Sequence, residues 1–185
     1  MAEVDCGFDD GARWFRLRAV AVILHEGSVL MMSNQTDPYL YTIGGGVQHG
    51  ETIEEAVIRE VREELGVDYG IDRLLFIHQN FFTDEHSPLL VGRACHEVSF
   101  HFLMTFDPAQ PIRPGGVTTD GRREQPVWVP LSRYGQDRPA YPAFYATELL
   151  DPPAQPRLIT TRQASSQPET RGQKPLSTRE NVTFG

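Results

Sequence analysis

Residues 45–67 read GGVQHGETIEEAVIREVREELGV and constrain this chain more than any other stretch. Gly44, Gly45 and Gly46 mark a tight turn, Thr52 stands where a helix cap belongs, and Gly66 where a helix ends. The spacing predicts a helix over Thr52–Leu65. Val57, Val61 and Leu65 recur every four residues, a stripe that seats the helix on a core and fixes the direction of its polar side. A helix turns about 100° per residue, so Glu60, Glu63 and Glu64 project within a fan of about 100°. Like charges at these spacings repel by about 0.3 kcal/mol per pair even when exposed. Arg59, four residues before Glu63, can pair with it but cannot neutralise three carboxylates. Hard oxygen donors in such a cluster suit Mg²⁺ or Mn²⁺. Most glutamate-rich runs are merely solvated helix faces. Here the turn, cap and stop stand at fixed spacing around the cluster, which favours an assembled site.

Written as spacing, the segment is Gly45, five residues, Glu51, seven residues, Arg59-Glu60-Val61, one residue, Glu63-Glu64, one residue, Gly66-Val67. It matches the Nudix box at every fixed position, and the chain resembles the Nudix hydrolases, which use divalent metal to split a diphosphate linked to another group. The resemblance implies an α/β fold: an α/β/α sandwich with a mixed central sheet and a catalytic loop-helix-loop beside it. It implies Glu60, Glu63 and Glu64 as metal-binding carboxylates, with the Gly44 carbonyl as a further ligand. Arg59 matches the arginine that holds a box glutamate, while Gly45, Glu51 and Gly66 are supporting box positions. The implied cofactor is Mg²⁺ or Mn²⁺. A metal-activated water would attack one phosphorus in line and a carboxylate would take its proton. Some family members use a glutamate outside the box as the base. Glu97 is the best placed candidate, with Glu85 and Glu124 behind it.

The 185 residues are enough for one ordinary domain with a real core. A formal net charge of −8 argues against general nucleic-acid binding. It does not argue against small phosphorylated substrates, because bound metal inverts the local field. No run approaches the roughly 18 apolar residues that span a bilayer. The acidic start MAEVDCGFDDGARW does not read as a secretory signal, and Cys6 and Cys95 alone form no disulfide framework. A cytoplasmic protein is the expectation, and the family suggests a homodimer. Sixteen of the 17 basic residues are Arg, which codon bias explains as well as phosphate binding does.

Residues 1–13 read as a flexible leader, 14–150 as the hydrolase domain, and 151–185 as a weakly structured tail rich in Pro, Gln, Ser and Thr. Within the domain, strands are expected at 16–25, 28–33, 39–43, 71–82, 96–106 and 127–130, with a last amphipathic helix over 141–150. Thr83–Cys95 is a loop long enough to be functional, and 106–126 is irregular.

For the substrate, Arg16 and Arg18 alternate onto one strand face, where phosphate contact and plain solvation are equal readings. Tyr39 and Tyr41 stand near the mouth of the site, and Phe82, like Phe81, is a candidate for stacking a base. The histidines show no tight metal spacing. Ile43 stands where the box is commonly preceded by proline, and Val47-Gln48-His49 replaces the frequent Glu and Pro. Markers for ADP-ribose, dinucleoside polyphosphates and NADH are missing. By elimination, the expected substrate is a nucleoside di- or triphosphate or a sugar nucleotide. Two rivals stand beside a hydrolase: a Nudix-fold nucleotide sensor, and a prenyl diphosphate isomerase, faintly echoed by Cys95-His96-Glu97.

Overall fold

The computed structural model describes residues 4–34, 37–84, 90–113 and 123–163. Its strands in chain order are β1 (Gly7–Asp9), β2 (Arg13–Val22), β3 (Leu24–His25), β4 (Ser28–Asn34) and β5 (Ile43–Gly46). Helix α1 (Ile53–Leu65) follows, then β6 (Ile71–Phe82), β7 (Ala94–Met104) and β8 (Glu124–Pro130). A short 3-10 turn (Leu131–Arg133), α2 (Tyr145–Glu148) and β9 (Arg157–Arg162) complete the order.

The main sheet runs β1-β2-β7-β6-β9, with β5 beside β2. It is mixed: β2 and β7 run parallel, as do β6 and β9, while the β1, β5 and β6–β7 pairings are antiparallel. Strands β3, β4 and β8 form a second, three-stranded sheet. Side chains alternate across β2. Ala19 and Ala21 join Val57, Val61 and Leu65 of α1 in one core cluster, and Val22 joins Phe76, Tyr145 and Leu149 in the other. The sheet is thus sandwiched between α1 and the short helical segments near α2, the α/β architecture expected.

Helix α1 follows its local code. Thr52 caps it, with a reciprocal capping box to Glu55, and Gly66 closes it in the left-handed conformation at φ 66°. The box helix begins one residue after the expected start because Thr52 is the cap itself.

Three expectations fail. The leader is not loose from residue 4 onward. Cys6 and Leu17 are joined through backbone hydrogen bonds with Val47 and one another, β1 pairs with β2, and the Phe8 ring stacks on Phe15 at 5.9 Å. The tail is not unstructured from residue 151. Strand β9 lies parallel to β6 through Phe76–Phe81, and the Thr161 hydroxyl meets His78 Nε2 at 2.8 Å. The Pro, Gln, Ser and Thr content of 151–185 reads as a weakly structured tail, yet β-branched Ile159, Thr160 and Thr161 suit a sheet edge. The last helix shrinks to four residues, because Tyr141 precedes a proline and such a residue avoids helical geometry. Residues 164–185 and Glu85 lie outside the described residues.

Candidate active site

Two glycines shape the site. Gly44 has φ 124°, and a Cβ there would strike the Ala19 carbonyl, so β5 packs closer to β2 than any other residue allows. At Gly45 a Cβ would occupy the space of the Glu60 carboxylate. The glycine turn therefore lies against the acidic face of α1.

Arg59 ties the helix to that turn. Its guanidinium donates to Glu51 Oε1 at 2.7 Å, to Glu60 Oε1 at 2.7 Å, to Glu63 Oε2 at 3.2 Å and to the Gly46 carbonyl at 2.9 Å. Glu51 also accepts the Gln48 N–H, and the Arg59 hydrogen bond holds its carboxyl below the usual range. Gly66 closes α1 behind the cluster. The expected support positions Gly45, Glu51, Arg59 and Gly66 thus sit around one turn and one helix.

The carboxylates differ in burial. Glu63 is at the rim, its side chain 58% exposed. Glu60 is half-buried; desolvation pushes its carboxyl up, partly offset by Arg59. Glu64 is deeper. Burial, then the charges of Glu124 and Glu60, push it well above the usual range, and the Gly44 N–H donating at 3.2 Å offsets little of this. Glu124, at the start of β8, enters from the second sheet. Its Oε1 accepts the Tyr41 hydroxyl at 2.6 Å, and Asn34 Nδ2 donates to the same hydroxyl at 3.3 Å. The Tyr41 ring meets Tyr39 edge-on at 6.2 Å, and Tyr39 meets Tyr141 at 5.6 Å. The sequence ranked Glu124 below Glu97, and only the pairing of β4 with β8 shows why it belongs with Glu64.

Glu97 has a different environment from the one expected of a free base. Its Oε2 receives Arg16 Nη2 at 2.6 Å and Nε at 3.1 Å, and its Oε1 faces Arg18 Nη1 at 3.9 Å. Burial alone would raise its pKa, but the two arginines outweigh it and hold the carboxyl low. Arg18 turns away from solvent. It donates to the Thr42 carbonyl at 2.9 Å and to the Gly44 carbonyl at 2.8 Å. The Gly44 oxygen expected to serve a metal is therefore engaged by a guanidinium. Arg16 is the more open of the pair, its side chain 31% exposed.

Phe82 is not brought to the carboxylates. It packs edge-on against Trp14 at 6.3 Å, four residues along β2 from Arg18, about 13 Å of strand. Cys95 pairs with Trp14 in the same register, which sets the thiol apart from the acidic cluster. Trp14, Phe15, Phe81, Phe82, Arg13 and Arg162 line an open pocket of about 490 Å³ at that end of the sheet.

Glu60 and Glu64 are half-buried carboxylates whose desolvation Arg59 and Arg18 offset only in part, and a dication would relieve the remaining cost. Among the described residues, however, no three His, Cys, Asp or Glu converge closely enough to form a centre as the side chains stand. The donor set fits a hard divalent ion.

The NUDIX domain model matches residues 15–147. A Nudix hydrolase of Deinococcus radiodurans is 38% identical over 108 residues, 54% of this chain and 62% of that protein. The match therefore spans less than two thirds of the relative's length. The crystal structure of a Bacillus halodurans MutT protein superposes with a TM-score of 0.55 at 17% identity, covering 80% of this chain and 90% of that one. A NUDIX-family hydrolase from Clostridium perfringens gives 0.51 at 17% identity, covering 74% and 96%. At such identity these two structures speak for the fold alone. With the domain model matching from β2 to α2 across an intact glycine turn and acidic helix, the chain belongs to the Nudix family.

Proposed function

We propose that the protein is a divalent-metal-dependent pyrophosphohydrolase that cleaves a diphosphate linkage in a nucleotide derivative. The observation that carries this reading is the glycine turn packed against the acidic face of α1, where burial raises the cost of the Glu60 and Glu64 charges and the Glu124 charge from β8 adds to it at Glu64. Mg²⁺ or Mn²⁺, when bound, would neutralise phosphate charge and lower the pKa of a water. The residues that would hold it are Glu60 and Glu64, with Glu63 at the rim. Arg59 fixes the first of these. Arg16, anchored on one edge by Glu97, keeps donor capacity for a phosphate oxygen. A carboxylate at the site takes the proton of the attacking water. Glu124 suits that role better than Glu97, whose two oxygens face arginines. Tyr39 and Tyr41 form one wall, and the Tyr41 hydroxyl is committed to Glu124.

The substrate proposed is a nucleoside di- or triphosphate or a sugar nucleotide. A cytoplasmic setting and a homodimer belong to the same proposal. No helix among the described residues is long and apolar enough to cross a membrane. A second reading, a nucleotide sensor that does not cut, is favoured by one observation: Arg59 and Arg18 already engage Glu60, Glu63 and Gly44.

A phosphate-release screen with Mg²⁺ and Mn²⁺ separates the two. The panel is nucleoside di- and triphosphates, sugar nucleotides, ADP-ribose, dinucleoside polyphosphates, NADH and coenzyme A, with Glu64→Gln as control. Metal-dependent release from one group, lost in the variant, supports the hydrolase. Nucleotide binding without release across the panel supports the sensor.

A further inference from the structure

The buried face of β2 and β7 carries two arginines and one glutamate whose roles extend to the carboxylate site. Glu97 uses both oxygens, one on Arg16 and one facing Arg18 at 3.9 Å. Arg18 is nearly enclosed, its side chain 14% exposed, and Glu97 is as deep at 11%. A guanidinium this buried needs both a counter-charge and acceptors. Glu97 supplies the charge, and the carbonyls of Thr42 and Gly44 supply the acceptors. Those two carbonyls flank Ile43 at the entry to the glycine turn. Arg18 thus clips the turn from the neighbouring strand β2, and its charge also reaches Glu60 and Glu64. The next link runs inward. The Gly44 N–H, in the same residue as the clipped carbonyl, donates to Glu64 Oε2 at 3.2 Å.

We propose that Glu97 is a positioning residue: through Arg18 it fixes the peptide planes on either side of the Gly44 N–H, and through that N–H it sets the direction of Glu64. This rests on the reading of Glu64 as a metal-holding carboxylate. It assigns Glu97 no proton transfer and no contact with substrate. It also gives the Gly44 carbonyl a partner of its own, the arginine. Three links, each a hydrogen bond or ion pair, connect residues 97, 18, 44 and 64, which are far apart in sequence and come from three strands and a helix. Gly44 cannot be held by a side chain of its own, and at φ 124° an unclipped glycine has other conformations open to it. That is the physical reason an external clip is needed there.

The test uses the full chain and Mn²⁺ alone, with free Mn²⁺ followed by electron paramagnetic resonance. Variants are Glu97→Gln, which keeps shape and loses charge, and Arg18→Lys, which keeps charge and loses the fork. Each is expected to weaken Mn²⁺ binding about 10-fold, the loss typical when a group that orients a metal ligand is removed. The double variant is expected to bind no more weakly than Arg18→Lys. Amide exchange at Gly44 should quicken in both single variants. Multiplying losses in the double variant would overturn the proposal, because Glu97 would then act on the ion directly and not through Arg18. A lower melting temperature with unchanged Mn²⁺ affinity would overturn it in favour of a purely structural ion pair. Should Glu97→Gln fail to fold, Glu97→Asp paired with Arg18→Lys gives the same cycle. Wild-type protein that takes up no Mn²⁺ overturns the metal reading and this inference together. Uptake that Glu97→Gln leaves intact overturns this inference alone.

Discussion

The Tyr41 hydroxyl donates to Glu124 Oε1 across 2.6 Å, and this bond joins the approach to the glycine turn with the first residue of β8. It brings a carboxylate from the second sheet into electrostatic contact with Glu64. Burial and the neighbouring Glu124 charge both push the Tyr41 phenol up, so the hydroxyl keeps its proton and stays a donor. The site is therefore built by both sheets, although its motif lies on one helix.

Tyr41→Phe removes that donor and leaves Glu124 half-buried without it. A hydrogen bond to a charged group contributes about 1.5–3 kcal/mol. Stability by urea denaturation is expected to fall by about 1.5 kcal/mol, and metal-dependent turnover to fall with it. Unchanged turnover would mean that Glu124 has no part in the reaction.

Glu64→Gln separates activity from stability. Glu64 is pushed up by burial first, then by Glu124 and Glu60, so its charge opposes folding at neutral pH. A neutral amide of the same shape should raise stability on the order of 1 kcal/mol. Turnover should fall about 100-fold or more, beyond the loss typical for a group that merely orients a ligand. Calorimetry and a phosphate-release assay read the two effects. A variant both active and no more stable would refute the assignment.

Acid should weaken the fold through His78. Burial lowers its pKa from 6.5 to about 4, with Glu97 pulling weakly the other way. Below pH 6.5 the unfolded chain takes up a proton that the folded chain refuses until about pH 4. Stability is therefore whole above 6.5 and is lost as pH falls through that window, by about 2 kcal/mol at pH 5. Buried His101, lowered well below its usual value, acts in the same direction. So does Glu97, whose arginines overcome burial and whose contribution is lost as pH falls through its low pKa. Glu60 and Glu64 act oppositely, since protonation relieves their burial. The clean measurement is a difference: His78→Gln should lose about 2 kcal/mol less than the wild type between pH 7 and 5. Parallel pH profiles for the two proteins would sink the argument.

The legible part of the site is its local part. Thr52, Glu55 and Gly66 specify a helix by contacts within a few residues, and the glutamate spacing needs only helical geometry. What depends on distant pairing could not be read. Alternation placed Arg18 on a face but could not show that its partners are the carbonyls of residues 42 and 44. Nothing near Glu97 in sequence announces Arg16, because β2 and β7 meet in parallel across 81 residues. Strands β1 and β9 were hidden for the same reason: each is short, polar by composition and stabilised by a neighbour far along the chain.

The two ends of the tail should behave differently on truncation. From composition, a cut after residue 151 costs nothing, but the structure argues against that. Strand β9 covers the outer edge of β6 with six paired residues, and Ile159 packs against the core cluster that holds Phe76 and Tyr145. Thr161 bonds both His78 and Asn80, Arg157 pairs with Glu148 at 2.6 Å, and Arg73 donates to the Pro153 carbonyl at 3.2 Å. Gln163 Oε1 accepts the Thr83 N–H at 2.8 Å. A chain ending at 151 would leave the β6 edge unpaired, which invites aggregation, and would strip about 2 kcal/mol of half-buried apolar contact from Leu158 and Ile159. It should unfold at clearly lower urea or associate on size exclusion. A chain ending at 163 keeps every one of these bonds and should match the full protein in urea midpoint and turnover. Equal stability of the 1–151 and 1–163 chains would show that β9 contributes nothing to the sheet.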